Sequence, residues 1–286
     1  MDSPTGIDPD ARIGRVTLTV SDLDAVLPFY RDAVGLRVRE RRAGRAVLGT
    51  ADAGDLLVLE ESPGADPRPP DAAGLFHTAF LFPSRAALGD ALARVRDAGV
   101  GLTGASDHRV SEALYLRDPE DNGVELYRDR PREEWPESGD TVEMDTLRLD
   151  VDALLADRAG GADSAGDAAP AGTTVGHVHL EVTDLGAAET FYVDTVGFDV
   201  RQRMGTDALF VAAGGYHHHL GLNTWNRRTA PASGTGLTEF EVIVPDAGGV
   251  ASVRESVAAA GVDVRDDGDG FVAAAPDGVR VRLSTA

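Results

Sequence analysis

Seven histidines and the absence of cysteine set the chemistry that this sequence can offer. Five histidines lie in two clusters, HVH at 177–179 and HHH at 217–219, and the others are His77 and His108. Imidazole binds divalent metals, and because its unperturbed pKa is about 6.5 it also moves protons at neutral pH. Without cysteine there are no disulfides, thiolate metal sites or cysteine nucleophiles. Phosphate-loop, dinucleotide and serine-elbow motifs do not occur where they would have to.

An internal repeat shows which elements must position these side chains. GRVTLTVSDLDAVLPFYRDAVGL (14–36) aligns with GHVHLEVTDLGAAETFYVDTVGF (176–198) at an offset of 162, and 12 of the 23 positions are identical. The same offset places GLFHTAFLFPS (74–84) on GLTEFEVIVPD (236–246). The chain is therefore a duplication.

Each half divides again into two similar units. Alternation in RVTLTV and HVHLEV indicates half-buried strands. Ser21 and Thr183, each with an acidic neighbour, indicate helix starts, and DPEDNGVELY and APDGVRVRL indicate final hairpins. The order strand, helix and three strands predicts an α+β protein of four βαβββ modules in curled mixed sheets that form two half-barrels.

The repeat also predicts the domain organisation. Modules 1 and 2 form a first domain over 10–135, and modules 3 and 4 form a second domain over 174–286. Residues 136–173 connect them, and the Ala/Gly/Asp-rich stretch 156–174 is expected to be a flexible linker.

The composition is strongly acidic. The net charge is −21, and all 27 basic residues are arginines. We interpret this as adaptation to a halophilic cytosol, with a cationic partner as the alternative. Nucleic-acid binding is not expected, because it requires a basic face. No apolar run approaches the roughly 20 residues that span a bilayer, and the start MDSPTGIDPDAR lacks the features of a secretory signal. We therefore expect a cytoplasmic protein that does not bind membranes.

These modules resemble the vicinal oxygen chelate superfamily, which includes glyoxalase I, antibiotic-resistance binding proteins and type I extradiol dioxygenases. The resemblance covers nearly the whole chain. GASDHRVSEALYLRDPEDNGVELYRDRPREEW and GGYHHHLGLNTW look specifically like the bacterial catechol 2,3-dioxygenase group. The resemblance implies an enzyme that takes a small aromatic diol and O2.

The resemblance also implies two histidine ligands for a metal. In the superfamily a ligand histidine stands on the first strand of a module, seven residues before the helix start. This register selects His77, seven before Ser84, and His177, seven before Asp184. His179 is the alternative to His177, because residues i and i+2 share a strand face.

A carboxylate on the last strand of a module completes the implied ligand set. Glu125 holds this position, six residues beyond Pro119. Two neutral imidazoles and one carboxylate form a facial triad that leaves open positions on Fe(II), with Mn(II) as the alternative.

The same resemblance suggests which side chains act on the substrate. Tyr115 has the spacing of the active-site tyrosine of extradiol enzymes, and His218 stands where the family's acid–base histidine stands. His108 resembles a further substrate-side histidine, in a loop two residues shorter than in many relatives. Because side chains alternate in a strand, His217 and His219 face opposite to His218, and we expect them to be structural or to line the pocket.

The ligand set predicts how the modules pair. Two of the ligands belong to module 2 and one to module 3, so modules 2 and 3 must share a half-barrel, which leaves modules 1 and 4 to pair. The same registers in that other half-barrel select Arg15, Glu239 and Arg282. Guanidinium has no lone pair to donate, so we predict an ion-paired cluster there and no metal.

Three functions are compatible with these residues. The leading hypothesis is extradiol (meta) cleavage of a catechol by O2 at a mononuclear Fe(II) site. A glyoxalase-type isomerase or lyase is the second hypothesis, although that chemistry usually needs another carboxylate near the metal. A metal-free protein that binds an aromatic compound is the third. The natural catechol is not specified, and a homo-oligomer is left open because open-edged barrels often pair.

Overall fold

Four units with the order strand, helix and three strands follow one another in the computed structural model, which describes residues 6–52, 54–158 and 168–285. Module 1 comprises β1 (Arg12–Val20), α1 (Leu23–Pro28), β2 (Arg37–Arg42), β3 (Arg45–Gly49) and β4 (Asp55–Glu61). Module 2 comprises β5 (Gly74–Leu81), α2 (Arg85–Asp97), β6 (Gly104–Asp107), β7 (Ser111–Arg117) and β8 (Gly123–Asp129).

The second half repeats this order after a connecting segment. The connector holds β9 (Glu137–Ser138), β10 (Thr141–Val142), β11 (Leu147–Arg148) and α3 (Val151–Ala156). Module 3 comprises β12 (Thr174–Glu181), α4 (Leu185–Glu189), β13 (Asp199–Met204), β14 (Ala208–Ala212) and β15 (Leu220–Asn223). Module 4 comprises β16 (Gly236–Val244), α5 (Ala247–Ala259), β17 (Val264–Asp267), β18 (Gly270–Ala274) and β19 (Arg280–Thr285). The middle of the predicted linker, 159–167, lies outside the described residues, and the division into two domains stays a prediction.

The modules exchange partners between the two halves of the chain. Modules 1 and 4 form an eight-stranded sheet in the order β17-β18-β19-β16-β1-β4-β3-β2. Modules 2 and 3, with β11, form a nine-stranded sheet in the order β11-β6-β7-β8-β5-β12-β15-β14-β13. Both sheets are mixed, and an antiparallel pair joins the modules in each, β1 with β16 and β5 with β12. The predicted α+β class and the pairing of modules 2 with 3 and 1 with 4 are confirmed.

The helix starts agree with the sequence pattern. Asp22 and Asp184, the acidic neighbours of Ser21 and Thr183, accept backbone N–H groups of the first helical turns of α1 and α4. Such caps satisfy donors that have no partner inside the helix. Each of these two helices continues as a π-helical turn, Phe29–Val34 and Thr190–Thr195. None of the described helices is both long enough and apolar enough to cross a membrane.

The hydrophobic core holds the two sheets and their helices together. It includes Leu18 and Phe240 from the first sheet and Phe80 and Leu180 from the second. The central strands β1 and β12 lie next to each other, as do β5 and β16. The strands β5 and β12, which carry the two predicted histidine ligands, therefore lie at the contact between the two sheets.

Candidate metal centre

Three neighbouring strands of the second sheet carry the predicted ligands. His77 lies on β5, Glu125 on the parallel strand β8, and His177 on the antiparallel strand β12. In the register, Ala79 lies beside both Glu125 and His177. His77 is two residues before Ala79 and shares its face of β5, so the three side chains project to the same side of the sheet.

The donor atoms of the three side chains meet at one point. The Oε2 atom of Glu125 is 2.9 Å from the Nε2 atom of His77 and 3.2 Å from that of His177. The two Nε2 atoms are 3.3 Å apart. Two ligand atoms that are each about 2.1 Å from a shared ion and at right angles lie about 3.0 Å apart, so this donor set fits a single metal ion. Among the described residues, this is the group of histidine and acidic side chains with the spacing of a metal site.

Two small residues make room for this arrangement. Ala79, beside both Glu125 and His177 in the register, is fully buried, and its small side chain packs against Ala113 and Tyr127. Gly176 lies in a β-bulge of β12, where a Cβ atom would be 1.7 Å from the hydroxyl oxygen of Tyr127. That approach is impossible for any other residue, so Gly176 allows His177 to lie above Tyr127, with ring centroids 4.8 Å apart.

Burial controls the charge states of the centre. Burial, the largest effect, lowers the pKa of His177 to about 4, so its imidazole is neutral at pH 7. Burial opposes ionisation of Glu125, but the electrostatic interactions and hydrogen bonds with the two histidine rings outweigh it and hold the pKa of this carboxyl well below its usual value. A neutral imidazole and a carboxylate are the forms that coordinate metals. Nδ1 of His177 has no hydrogen-bond partner in the described part of the chain, so packing orients this ring.

The three side chains lie at the bottom of a cavity of about 240 Å³. An aromatic and apolar wall is formed by Phe76, Met144, Met204, Phe210 and Trp225. A polar wall is formed by Ser106, His108, Ser111, Tyr115, Asp145 and Thr146. Both His179 and His218 also line the cavity, so the structure brings all six predicted site residues together.

Tyr115 and His108 form a hydrogen-bonded pair in the polar wall. Nδ1 of His108 donates to the backbone oxygen of Asp145 at 2.6 Å, which leaves Nε2 as the acceptor in the neutral ring. The Tyr115 hydroxyl, 2.6 Å away, therefore donates to Nε2 of His108. Burial and then the charge of Glu125 raise the pKa of Tyr115 well above its ordinary value, so the phenol keeps its proton.

A chain of hydrogen bonds orients His218. The Asp129 carboxylate lies 2.9 Å from Nε2 of His217, and Nδ1 of His217 lies 2.7 Å from Nδ1 of His218. Because a carboxylate only accepts, Nε2 of His217 carries the proton and its Nδ1 accepts from His218. The Nε2 atom of His218 is then without a proton, and no described side chain occupies it as a hydrogen-bond partner. Burial followed by the nearby charge of His177 lowers the pKa of His218 well below its ordinary value.

The other histidines have structural partners. His179, the alternative to His177, lies 3.0 Å from the amide nitrogen of Asn223, and its ring packs on Phe76 and Trp225. His219 accepts the backbone N–H of Ala213 through Nδ1 at 3.1 Å. Neither belongs to the group of converging ligand atoms.

The residues that support His218 are not among those predicted from the sequence. Asp129 bonds His217, and the Tyr216 hydroxyl donates to the same carboxylate at 3.0 Å. Tyr127 is hydrogen-bonded in turn to Tyr216 at 2.8 Å. The signal was present in the sequence, because Tyr127 and Asp129 follow Glu125 at intervals of two and share its face of β8.

The corresponding place in the first sheet holds ion pairs. Nε of Arg282 is 3.1 Å from Oε1 of Glu241, and Nε of Arg15 is 4.0 Å from Oε2 of the same carboxylate. Two predicted arginines are therefore present, but the predicted acid, Glu239, was wrong: Glu239 pairs with Arg280 at 3.2 Å.

The register gives the physical reason for this difference. The offset of 162 places Glu241 on Ala79, the residue that lies between the two neighbouring strands, and Glu239 on His77. A carboxylate at the central position reaches the arginines on both sides. The first sheet thus has a carboxylate between two arginines where the second has the methyl group of Ala79.

Comparison with known proteins finds relatives in one superfamily that includes dioxygenases. The family model of the glyoxalase/bleomycin resistance protein/dioxygenase superfamily matches residues 12–126. A catechol-2,3-dioxygenase of Bacillus subtilis (strain 168) is 42% identical over 274 residues, which are 93% of this chain and 94% of that protein. A biphenyl-2,3-diol 1,2-dioxygenase of Rhodococcus globerulus is 33% identical over 120 residues, 41% of this chain and 63% of that protein.

Solved structures share the fold at low sequence identity. A structure described as a dioxygenase of Bacillus subtilis aligns with a TM-score of 0.67 and 13% identity, over 99% of this chain and 86% of that chain. Glyoxalase I from Zea mays aligns with a TM-score of 0.57 and 16% identity, over 96% of this chain and 92% of that chain. At these identities the alignments support the fold alone.

Proposed function

The chain belongs to the glyoxalase/bleomycin resistance protein/dioxygenase superfamily, and on that premise we propose that it is an extradiol dioxygenase that cleaves a catechol with O2 at a single Fe(II) ion. The observation that carries the proposal is the buried group of His77, Glu125 and His177 at the bottom of a cavity that also holds His218 and Tyr115. The similarity to a catechol-2,3-dioxygenase over most of both chains supports it.

The three converging side chains would hold the ion. Two neutral imidazoles and a carboxylate on one side leave coordination positions free on the cavity side. When bound, Fe(II) would supply neighbouring positions for the two oxygens of the catechol and for O2. Mn(II) favours similar ligands and is the alternative metal.

His218 is proposed to be the acid–base group. Its Nε2 atom lacks a proton and its side chain lines the cavity, so it can accept the proton of a catechol hydroxyl and return it later. Asp129 and His217 hold the ring in this tautomer. The imidazole is thus already oriented before the substrate binds, and no reorientation is needed.

Tyr115 and His108 are proposed to orient the substrate. The Tyr115 phenol keeps its proton and donates it to His108, which fixes the position of the hydroxyl, so its oxygen can accept a hydrogen bond from a catechol hydroxyl. The product would be a muconic semialdehyde.

The residues of the cavity favour oxygenase over glyoxalase chemistry. A glyoxalase-type reaction usually needs a second carboxylate near the metal as its base. Among the described residues of the cavity the acids are Glu125 and Asp145, and the Asp145 carboxylate pairs with Arg109 at 3.0 Å. No second carboxylate is thus free to act as the base.

The proposal is tested by oxygen uptake after anaerobic loading with Fe(II). We expect catechol to consume O2 and to form a yellow ring-fission product. An absence of uptake with several substituted catechols, while iron is demonstrably bound, would contradict the proposal. Conversion of a glyoxalase substrate without O2 consumption would favour the rival chemistry.

The role of His218 has its own test. The change His218→Asn removes the Nε2 base and keeps an amide near the Nδ1 position, so we expect kcat to fall by about 10²-fold. Iron content should be unchanged, because His218 is outside the group of ligand atoms. A kcat equal to that of the wild type would exclude the acid–base role.

A further inference from the structure

The charged groups around the cavity restrict which substituents a substrate can have. No lysine or arginine is among the side chains that line the cavity in the described parts of the chain. Arg109, which follows His108 in the sequence, has its guanidinium paired with the carboxylate of Asp145. A substrate carboxylate in the cavity would thus find no free positive partner.

The acidic groups act in the same direction. Glu125 would be bound to the ion in the Fe(II)-loaded protein, and the carboxylate of Asp145 is paired with Arg109, so neither offers a partner to an anion. The protein as a whole carries a net charge of −21. The net negative charge disfavours the approach of an anion, and an anionic substituent would lose its hydration on entering, which is costly without a partner.

The rim of the cavity offers apolar contact instead. Trp225 is 42% exposed and Met204 is 37% exposed, although both are large apolar side chains that line the cavity. Trp225 packs edge to face on Phe76, with ring centroids 5.4 Å apart. Exposed apolar side chains that cluster at a cavity mark a binding surface.

The volume of the cavity limits the size of the substrate. Its volume of about 240 Å³ is smaller than the roughly 300–1,000 Å³ typical of pockets for drug-sized ligands. One aromatic ring with a short substituent is a suitable occupant.

From these features we infer that the substrates are single-ring catechols with a short uncharged, apolar substituent, and that catechols with a carboxylate are excluded. The inference rests on the proposed function for the catechol part of the ligand. The apolar rim formed by Met204, Trp225 and Phe76 receives the substituent, while the two hydroxyls face the metal centre.

Three catechols of nearly equal shape separate charge from size. They are 3,4-dihydroxyphenylacetate, its amide 3,4-dihydroxyphenylacetamide, and 4-isobutylcatechol. The CH2 group insulates the ring, so the hydroxyl acidities remain similar. Binding to Fe(II)-loaded protein is measured by anaerobic titration calorimetry, and O2 uptake is recorded separately.

We expect 4-isobutylcatechol to bind most tightly and the acetate to bind at least about tenfold more weakly than the amide. Equal or tighter binding of the acetate, or no binding of 4-isobutylcatechol, would overturn the inference. If the affinities follow the expected order but no O2 is consumed, the inferred substrate selectivity is supported. The proposed oxygenase reaction is then contradicted. The two failures are therefore distinguishable.

A charge placed at the rim provides the complementary test. Met204 is partly exposed at the end of β13, so Met204→Arg is tolerated by the fold and adds a cation beside the substituent. We expect this variant to improve binding of the acetate relative to the amide by about tenfold, whereas the matched control Met204→Gln does not. An unchanged ratio in Met204→Arg would exclude contact between Met204 and the substituent.

Discussion

At the scale of single residues, each histidine in this chain has a different environment although the side chains are identical. His77 and His177 meet Glu125, His218 receives its orientation from His217 and Asp129, and the remaining histidines bond to protein groups. Burial keeps most of these rings neutral, which is the form that binds metals or accepts protons.

His219 allows the cost of a buried neutral imidazole to be measured. Burial lowers the pKa of His219 to about 3, whereas an unfolded chain would have a value of about 6.5. The unfolded state therefore binds more protons between these values, so the stabilising effect is complete above pH 6.5 and is lost as the pH falls toward 3.

The prediction concerns metal-free protein unfolded in urea at pH 7.5 and pH 5. We expect His219→Asn, whose amide oxygen can still accept the Ala213 N–H, to lose about 2 kcal/mol less than wild type between these pH values. The other buried histidines are present in both proteins, so the difference isolates His219. Equal losses in the two proteins would show that His219 does not contribute.

At the scale of elements, the metal centre depends on how closely β12 approaches β5 and β8. The bulge at Gly176 permits this approach, since a Cβ atom there would overlap the Tyr127 hydroxyl. Tyr127 is fully buried and hydrogen-bonded to Tyr216, so it cannot move aside freely.

The change Gly176→Ala should therefore destabilise the protein by about 1–3 kcal/mol and weaken metal binding, because the strand that carries His177 must shift. Urea unfolding and metal titration measure both effects. The control is Gly101→Ala, since Gly101 has open space around its Cβ position and an ordinary φ, and its effect should stay within about 0.5 kcal/mol. Equal behaviour of the two variants would refute a role for the bulge.

The elements were more predictable from the sequence than the contacts between them. Strand alternation, aspartate caps and the 162-residue offset predicted the modules, and the ligand positions implied their pairing. The predicted acid Glu239 was wrong by two residues, because the repeat transfers strand positions but not the side chains there, and Glu241 stands where the second sheet has Ala79. The Asp129 support of His218 was missed because it joins β8 to a loop of another module.

At the scale of the whole molecule, one sheet of the duplicated protein has kept the candidate metal centre and the other has replaced it with ion pairs. Glu241 between Arg15 and Arg282 stabilises the first sheet where the second has its open donor set. The exchange of modules between halves brings His177 from the second half to ligands in the first. Neither half alone contains the complete centre.

The net charge of −21 predicts a response to salt, and the halophilic origin stays a prediction. Salt screens repulsion between surface carboxylates, so we expect the melting temperature to rise by about 5 °C or more between 0.1 and 2 M KCl. Differential scanning calorimetry of the metal-free protein measures this change without an effect of salt on metal binding. A falling or constant melting temperature would contradict salt adaptation.

The central claim is that His77, Glu125 and His177 bind one metal ion between them. The most direct measurement is the iron content of anaerobically loaded protein, compared with the variants His77→Ala, Glu125→Ala and His177→Ala and with the control His179→Asn. We predict one Fe(II) per chain in the wild type and the control and almost none in the three ligand variants. Full iron content in any ligand variant, or its loss in His179→Asn alone, would contradict the account.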